Sequence, residues 1–217
     1  GRRPGVFASS TATSESDNKR KMHVVFCVEN PNGTARDGEN SSVKRGTTTL
    51  VEAEGGKSVG GTNTLTGAQG GQASNSIGDV MFSGGNGGNG EMGTLGAFSA
   101  SGGGGGAAGN HGNGYNGGNG VSGSSGSAGA AGSAGNGDEI AGNGGEGLHS
   151  TILGEWEGVG NSGSNYGGGG GGSIHTNLLE INTPKAGGQG GDGYIRISYE
   201  EALQVSYVLN GATNPTS

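Results

Sequence analysis

Apolar residues are confined to a few short runs in this sequence, and long polar stretches separate them. Runs that are rich in β-branched and aromatic residues and are bounded by turn-forming residues predict strands. Such runs occur at residues 22–30 (MHVVFCVEN), 47–53 (TTTLVEA) and 77–83 (IGDVMFS). Residues 193–210 (GYIRISYEEALQVSYVLN) alternate apolar and polar positions and predict two further strands. The hydrophobic pattern therefore predicts short β-strands towards both ends of the chain.

The region between these strands repeats every three residues. Glycine occupies every third position of 84–96, 103–112 and 114–135, although no proline lies between Pro31 and Pro184. A collagen triple helix is disfavoured, because its chains depend on proline to set the backbone. The threefold extended helix itself needs only the right backbone torsions, and glycine at a fixed third position leaves one edge without side chains. Neighbouring backbones can then approach closely enough to bond, which predicts a bundle of polyglycine II helices within one chain.

The predicted fold is accordingly mainly β and irregular. It is an intramolecular polyglycine II helix bundle flanked by short β-strands, with almost no α-helix, because glycine at every third residue is costly in an α-helix. Breaks in the triplet phase predict the turns of the bundle, and 114–135 is predicted to be one straight run. The phase breaks lie at 97–101, 112–114, 136–143 and 148–159.

Three parts follow from this pattern. Residues 1–54 are predicted to be an N-terminal arm with strands for attachment, 55–193 the glycine-rich polyglycine II block, and 194–217 the closing strands and tail. Within the block, a set of triplet glycines is predicted to share one edge that packs against neighbouring helices. These scaffold-packing residues are Gly120, Gly123, Gly126, Gly129 and Gly132.

Composition and charge narrow the function. Glycine supplies 57 of the 217 residues, and the single cysteine, Cys27, excludes an intramolecular disulfide and a cysteine-based zinc site. Residues 1–57 carry 9 basic and 7 acidic groups, a net of +2, whereas the remainder carries 2 basic and 11 acidic groups, a net of −9. Glycine-rich segments that bind nucleic acid interleave arginine with glycine, so no nucleic-acid partner is predicted. No apolar run has membrane-spanning length, so no membrane insertion is predicted.

The motifs that could carry chemistry are explained by chance in so glycine-rich a chain. GxGxxG occurs at 85–90, 112–117 and 188–193, and the calcium-binding nonapeptide pattern occurs once, at 187–195, without the tandem copies that build such a site. The four histidines are far apart in the sequence. We therefore predict no catalytic residue, no cofactor, no metal site and no enzymatic activity.

One apolar insertion interrupts the glycine block at residues 146–160 (EGLHSTILGEWEGVG). It predicts either a small satellite core that plugs one end of the bundle or a contact loop. In the second interpretation Trp156, with Tyr115 and Tyr166 from nearby turns, meets a sugar or protein partner, because aromatic side chains combine large buried area with a polar group.

Three stretches, GDVMFSGGNGGNG, GGGGGAAGNHGNGYNGGNG and AGGQGGDGYIRISYEE, together resemble glycine-rich virion proteins of tailed bacteriophages, the tail fibre and adhesin proteins. That resemblance implies a polyglycine II sandwich whose turns display loops for host attachment. It also implies a virion (extracellular) location, with other virion proteins and copies of the chain as partners and a host-surface glycan or protein as receptor.

Two other classes stay open. The closing pattern also looks like the glycine-rich domain of the anaplastic lymphoma kinase receptor family, although Cys27 lies outside the glycine block. An extracellular binding module of a secreted or receptor protein would be glycosylated at Asn32 and Asn40, the two N-x-S/T sites. An ice-binding glycine bundle would need a flat, regular threonine or alanine face.

Overall fold

The computed structural model describes residues 7–9, 37–59, 65–94, 97–137, 141–151, 156–176 and 186–196. The strand predicted at 22–30 and residues 197–210 of the predicted C-terminal strands lie outside these ranges.

The described strands are short and form three antiparallel pairs: β1 with β4, β2 with β3, and β5 with β6. The strands predicted at 47–53 and 77–83 are confirmed as β3 and β4. The bounds are β1 Phe7–Ser9, β2 Ser41–Arg45, β3 Thr48–Ala53, β4 Val80–Phe82, β5 Trp156–Gly158 and β6 Ile174–Thr176.

The β2–β3 hairpin turns at Gly46, which has a φ of 59°. A residue with a side chain rarely adopts this left-handed conformation, so glycine suits the position. Glu52 of β3 exchanges both main-chain hydrogen bonds with Ile77, at 2.9 and 2.8 Å, so the hairpin is joined to the chain that leads into β4.

The predicted scarcity of α-helix is confirmed. The described residues contain no α-helix, and their helical structure is of the 3-10 type, at Ala73–Asn75 and at Thr94.

Most of the remaining chain forms extended segments whose main-chain hydrogen bonds recur every third residue. This period means that successive residues of a segment point towards different neighbours, as in polyglycine II. Each segment is antiparallel to the one before it. We label the nine segments a (65–71), b (83–91), c (100–109), d (112–121), e (127–136), f (141–149), g (160–164), h (166–172) and i (186–192).

Segment c is the centre of the bundle, because it hydrogen-bonds to five other segments. Three successive residues, Gly104 to Gly106, reach all five within 2.7 to 2.9 Å. Segment c accepts from b, e and h, in the donor–acceptor pairs Gly85–Gly106, Gly132–Gly104 and Gly169–Gly105. It donates to d and f, in the pairs Gly106–Tyr115 and Gly104–Gly145.

This position explains the five consecutive glycines at 102–106. Every residue from 99 to 109 is buried, and all of them are glycine, alanine or serine. A Cβ atom on Gly104 would overlap the carbonyl of Gly169, and one on Gly105 would overlap the carbonyl of Gly85. A segment enclosed on five sides has no edge left for a large side chain.

Because consecutive segments are antiparallel, their connections alternate between two ends of the bundle. The a–b, c–d, e–f and g–h connections share the end that carries the β2–β3 hairpin, which we call the hairpin end. The b–c, d–e, f–g and h–i connections share the opposite end, which we call the distal end.

The predicted straight run 114–135 is wrong, because the chain reverses at 122–126 and forms d and e. Gly123 adopts a φ of 104° there, and the Gly126 N–H donates to the Gly123 carbonyl at 2.9 Å. The triplet phase passes through this turn unbroken, since Gly120 and Gly129 are separated by three whole triplets. The division into three parts at 54/55 and 193/194 stays a prediction.

Candidate binding surface

The structure does not gather the three aromatic residues that were predicted to contact a receptor. Tyr115 lies in d near the hairpin end and is 57% exposed. Tyr166 begins h at the hairpin end, and the centroid of its ring lies 4.7 Å from that of the Tyr194 ring. Trp156 begins β5 within the f–g connection, at the distal end, and pairs with Thr176 of β6. A single receptor site formed by all three is therefore not supported by their placement.

Four of the five predicted scaffold glycines lie in close main-chain packing. A Cβ atom on Gly129 or Gly132 would overlap carbonyls of segment d, and one on Gly120 would crowd segment c. Gly126 packs against Val121 within its own turn. The predicted packing is wrong for Gly123. No atom lies within 4 Å of the position that its Cβ atom would take, because this residue forms the tip of the turn. The five glycines therefore do not share one packed edge.

The exposed edges of b and d carry a regular set of asparagines that sequence reasoning missed. In the middle row, the Gly70 N–H donates to Asn86 Oδ1 at 2.9 Å, and the Asn86 N–H donates to Asn116 Oδ1 at 2.7 Å. Two further rows repeat the pattern, and we call the whole set the asparagine ladder. Its other rows are Gly67–Asn89–Asn119 and Ala73–Ser83–Asn113, with distances of 2.8 to 3.0 Å.

The ladder has a structural cause. Main-chain N–H groups at this surface lack a carbonyl partner in the next segment, and a side-chain oxygen supplies one. The signal was present in the sequence, since Asn113, Asn116 and Asn119 recur every third residue, as do Asn86 and Asn89. Their meaning depended on knowing that a, b and d are neighbours.

The ladder fixes the direction of each amide. A main-chain N–H can only donate, so the facing atom of each asparagine must be Oδ1. The five asparagines are exposed, and their Nδ2 groups have no acceptor within the part of the chain that the structure describes. The surface thus presents hydrogen-bond donors in rows.

Exposed apolar residues lie where the same three segments reach the distal end. Leu65 begins a, Met92 follows b, and Val121 ends d, and they are 45%, 53% and 50% exposed. The three segments are joined there by hydrogen bonds from Gly90 to Leu65 and from Ser122 to the Glu91 carboxylate. The three apolar residues form what we call the distal apolar patch.

A cluster of charged and amide side chains lies at the hairpin end. Glu54 is 7% exposed, and its carboxylate accepts hydrogen bonds from the Gln72 N–H, the Asn75 amide and the Lys57 ammonium at 2.8 to 3.1 Å. Burial alone would raise the pKa of Glu54, but these three donors outweigh it and hold the pKa below its ordinary value. The cluster stabilises the junction of hairpin and bundle.

Within the described ranges, no group of three His, Cys, Asp or Glu residues could hold a metal ion. Over the same residues, none of the helical structure is long and apolar enough to cross a bilayer.

Comparison with known families adds one result: a family described as a glycine-rich domain matches residues 25–200, which is most of the chain. The chain belongs to the glycine-rich domain family. The match spans the hairpin and all nine segments, so the glycine-rich domain includes both. No curated protein and no solved structure matches the chain.

Proposed function

We propose that this glycine-rich domain protein is a non-enzymatic structural protein of a tailed bacteriophage virion, part of a tail fibre, spike or surface decoration. The hairpin end attaches it to the particle, and the distal end meets the host surface. The sequence resemblance to glycine-rich virion proteins supports the class, and the distal apolar patch is the observation that carries the attachment role.

The bundle suits a rigid support. Its segments are held by main-chain hydrogen bonds that join residues far apart in sequence, and its central segment has no side chain larger than that of serine. Loops at the ends of such a bundle are held at defined positions, which lowers the entropy lost when a partner binds.

The distal apolar patch has the character of a contact surface. Exposed apolar residues are common singly, but adjoining ones on neighbouring segments mark interaction sites. The ends of three adjacent segments, opposite the hairpin, carry the exposed residues Leu65, Met92 and Val121. This arrangement supports contact through the distal end.

Attachment to other virion proteins, or to copies of the chain, is proposed for the hairpin end. Strand β2 pairs with β3 along one edge, and no strand among the described residues pairs with its other edge. A free strand edge is the usual site for pairing with another chain.

The side chain of Asn40 weighs against the alternative of a glycosylated secreted module. Its Nδ2 donates to Glu52 Oε1 at 2.9 Å, and its Oδ1 accepts from the Gly55 N–H at 3.1 Å. A glycan on Nδ2 would disturb the bond to Glu52. The ice-binding alternative requires a flat threonine or alanine face, whereas the regular exposed edge found among the described residues is made of asparagine.

The test uses particles of the phage that encodes the chain. Mass spectrometry of purified particles should detect it, and Met92→Glu with Val121→Glu should lower host adsorption about tenfold by placing charge in the contact. Ala130→Glu with Ser133→Glu is the matched control, because both residues are exposed on segment e and lie between the two ends of the bundle. Absence of the chain from purified particles would overturn the proposal, and so would equal adsorption by both variants.

A further inference from the structure

We propose that the asparagine ladder binds a neutral, hydroxyl-rich polysaccharide, with Tyr115 at the border of the site. This inference rests on the proposed attachment function only in the choice of a surface glycan as ligand. The ladder lies on the side of the bundle, and its Gly67–Asn89–Asn119 row borders the distal apolar patch.

The hydrogen-bonding capacity of the ladder defines the ligand. Each of the five asparagines uses its Oδ1 to accept a main-chain N–H, and each leaves the two N–H groups of Nδ2 for an outside partner. The ligand must therefore be rich in acceptor oxygens. Carboxylates, phosphates, sulfates and sugar hydroxyls all qualify on this count.

Charge separates these candidates. The sequence has no lysine or arginine between Lys57 and Lys185, and the chain has a net charge of −7. The Glu91 carboxylate lies at the distal end of the ladder, beside Ser122. An anionic ligand would meet no counter-charge from these segments and would be repelled by the whole molecule. Neutral hydroxyls accept from amide groups without this cost.

The spacing of the rows favours a polymer over a single sugar. Rows three residues apart are separated by roughly 9.3 Å at about 3.1 Å per residue. The side chains are held by their bonds to the backbone, so little rotamer freedom remains to be lost on binding. A repeating chain that engages more than one row gains affinity from simultaneous contacts.

Tyr115 supplies an apolar surface next to the donors. It directly precedes Asn116 on d and is 57% exposed. The ring contact found among the described residues joins Tyr166 and Tyr194 and does not include Tyr115. Such a ring can lie against the C–H face of a sugar while its hydroxyl stays in water.

The experiment separates the donor role of the asparagines from their structural role. In the double variant Asn116→Asp with Asn119→Asp, a carboxylate oxygen still accepts the N–H of Asn86 or Asn89, but the Nδ2 donors are gone. The control is Asn143→Asp, which makes the same change at an exposed residue of f whose Oδ1 accepts the Ala134 N–H at 2.8 Å. Unfolding midpoints of all variants verify that each is folded.

Binding of the full chain is measured on immobilised dextran, mannan and starch, with alginate and heparin as anionic probes. We expect saturable binding to at least one neutral polymer, a loss of at least tenfold in the double variant, and a change below twofold in Asn143→Asp. Tyr115→Ala should weaken binding as well. No binding to a neutral polymer, stronger binding to alginate or heparin, or equal losses in both aspartate variants would overturn the inference. The polysaccharide assay uses the chain without particles, so its result is independent of the particle test. Binding to neutral polymers can be absent although the chain is found in virions, and it can be present although the chain is not.

Discussion

Gly104 and Gly112 come from the same triplet-rich sequence but have different surroundings. A Cβ atom on Gly104 would overlap the carbonyl of Gly169, whereas the nearest atom to a Cβ on Gly112 is the Asn136 nitrogen at 3.6 Å. The requirement for glycine is therefore set by the number of neighbouring segments, which the period alone does not reveal.

Gly104→Ala should destabilise the protein by about 1 to 3 kcal/mol or more, because an overfilled site forces packed backbones apart. Gly112→Ala should change the free energy of unfolding by less than about 1 kcal/mol and can raise it, since alanine restricts the unfolded chain. Denaturant unfolding of the two variants side by side measures the difference. Equal losses would contradict the central position of c.

Glu54 should make stability depend on acid pH. Its folded-state pKa lies below the ordinary value of 4.5, so its ionised form stabilises the protein above that pH. This contribution is lost as the pH falls from 4.5 through the folded-state pKa.

Glu54→Gln should therefore cost about 1 to 3 kcal/mol at neutral pH, through mismatched hydrogen bonds at a buried site, and less as the pH is lowered. Glu146→Gln, at an exposed carboxylate, is the control. Thermal unfolding between about pH 7 and pH 3 checks both, and a constant difference across that range would count against the mechanism.

Single elements differ in how well their sequences predicted them. Strands β3 and β4 were predicted because apolar and β-branched residues stand out in a glycine-rich chain. The reversal at 122–126 was missed because its length keeps the triplet phase, and phase was the only signal available. The asparagine ladder was missed because its bonds join segments whose adjacency is a property of the folded bundle.

The turn of the β2–β3 hairpin offers a test confined to one element. Gly46 has a φ of 59° and no atom within 4 Å of an added Cβ, so only the backbone conformation opposes substitution. Gly46→Val should cost about 1 to 2 kcal/mol. Gly46→Asn should cost less, because asparagine tolerates this region better.

Thr47→Val, in the same exposed turn, is the control for the added β-branched side chain and should have little effect. Equilibrium unfolding in urea measures all three. Similar losses for Val and Asn at position 46 would show that something other than the left-handed torsion limits this position.

At the scale of the whole molecule, the described part of the chain is held together chiefly by main-chain hydrogen bonds. Among the described residues, the buried apolar side chains are those of Ala100, Ala107, Ala108 and Ile174. A conventional domain of this size buries many large apolar side chains, and their exposure dominates the heat capacity change of unfolding. This bundle exposes mainly peptide groups when it unfolds.

The heat capacity change of unfolding should therefore fall well below the usual value of about 12 to 15 cal/mol/K per residue. Polar exposure lowers this quantity, which strengthens the effect. Scanning calorimetry measures it directly. A value in the usual range would mean that apolar burial outside the described residues contributes as much as in other proteins.

The central place of segment c also has a consequence for how the protein is made. A ribosome adds residues in order, so c emerges when only a and b precede it among the segments. Four of the five segments that enclose it, d, e, f and h, are synthesised afterwards, the last ending at residue 172. Until then the carbonyls of Gly102 and Gly105 lack the donors that they have in the folded chain, the N–H groups of Gly172 and Gly169. The middle of this protein is thus among the last parts of the bundle to be completed, and a nascent chain halted before residue 166 should still be open at its core.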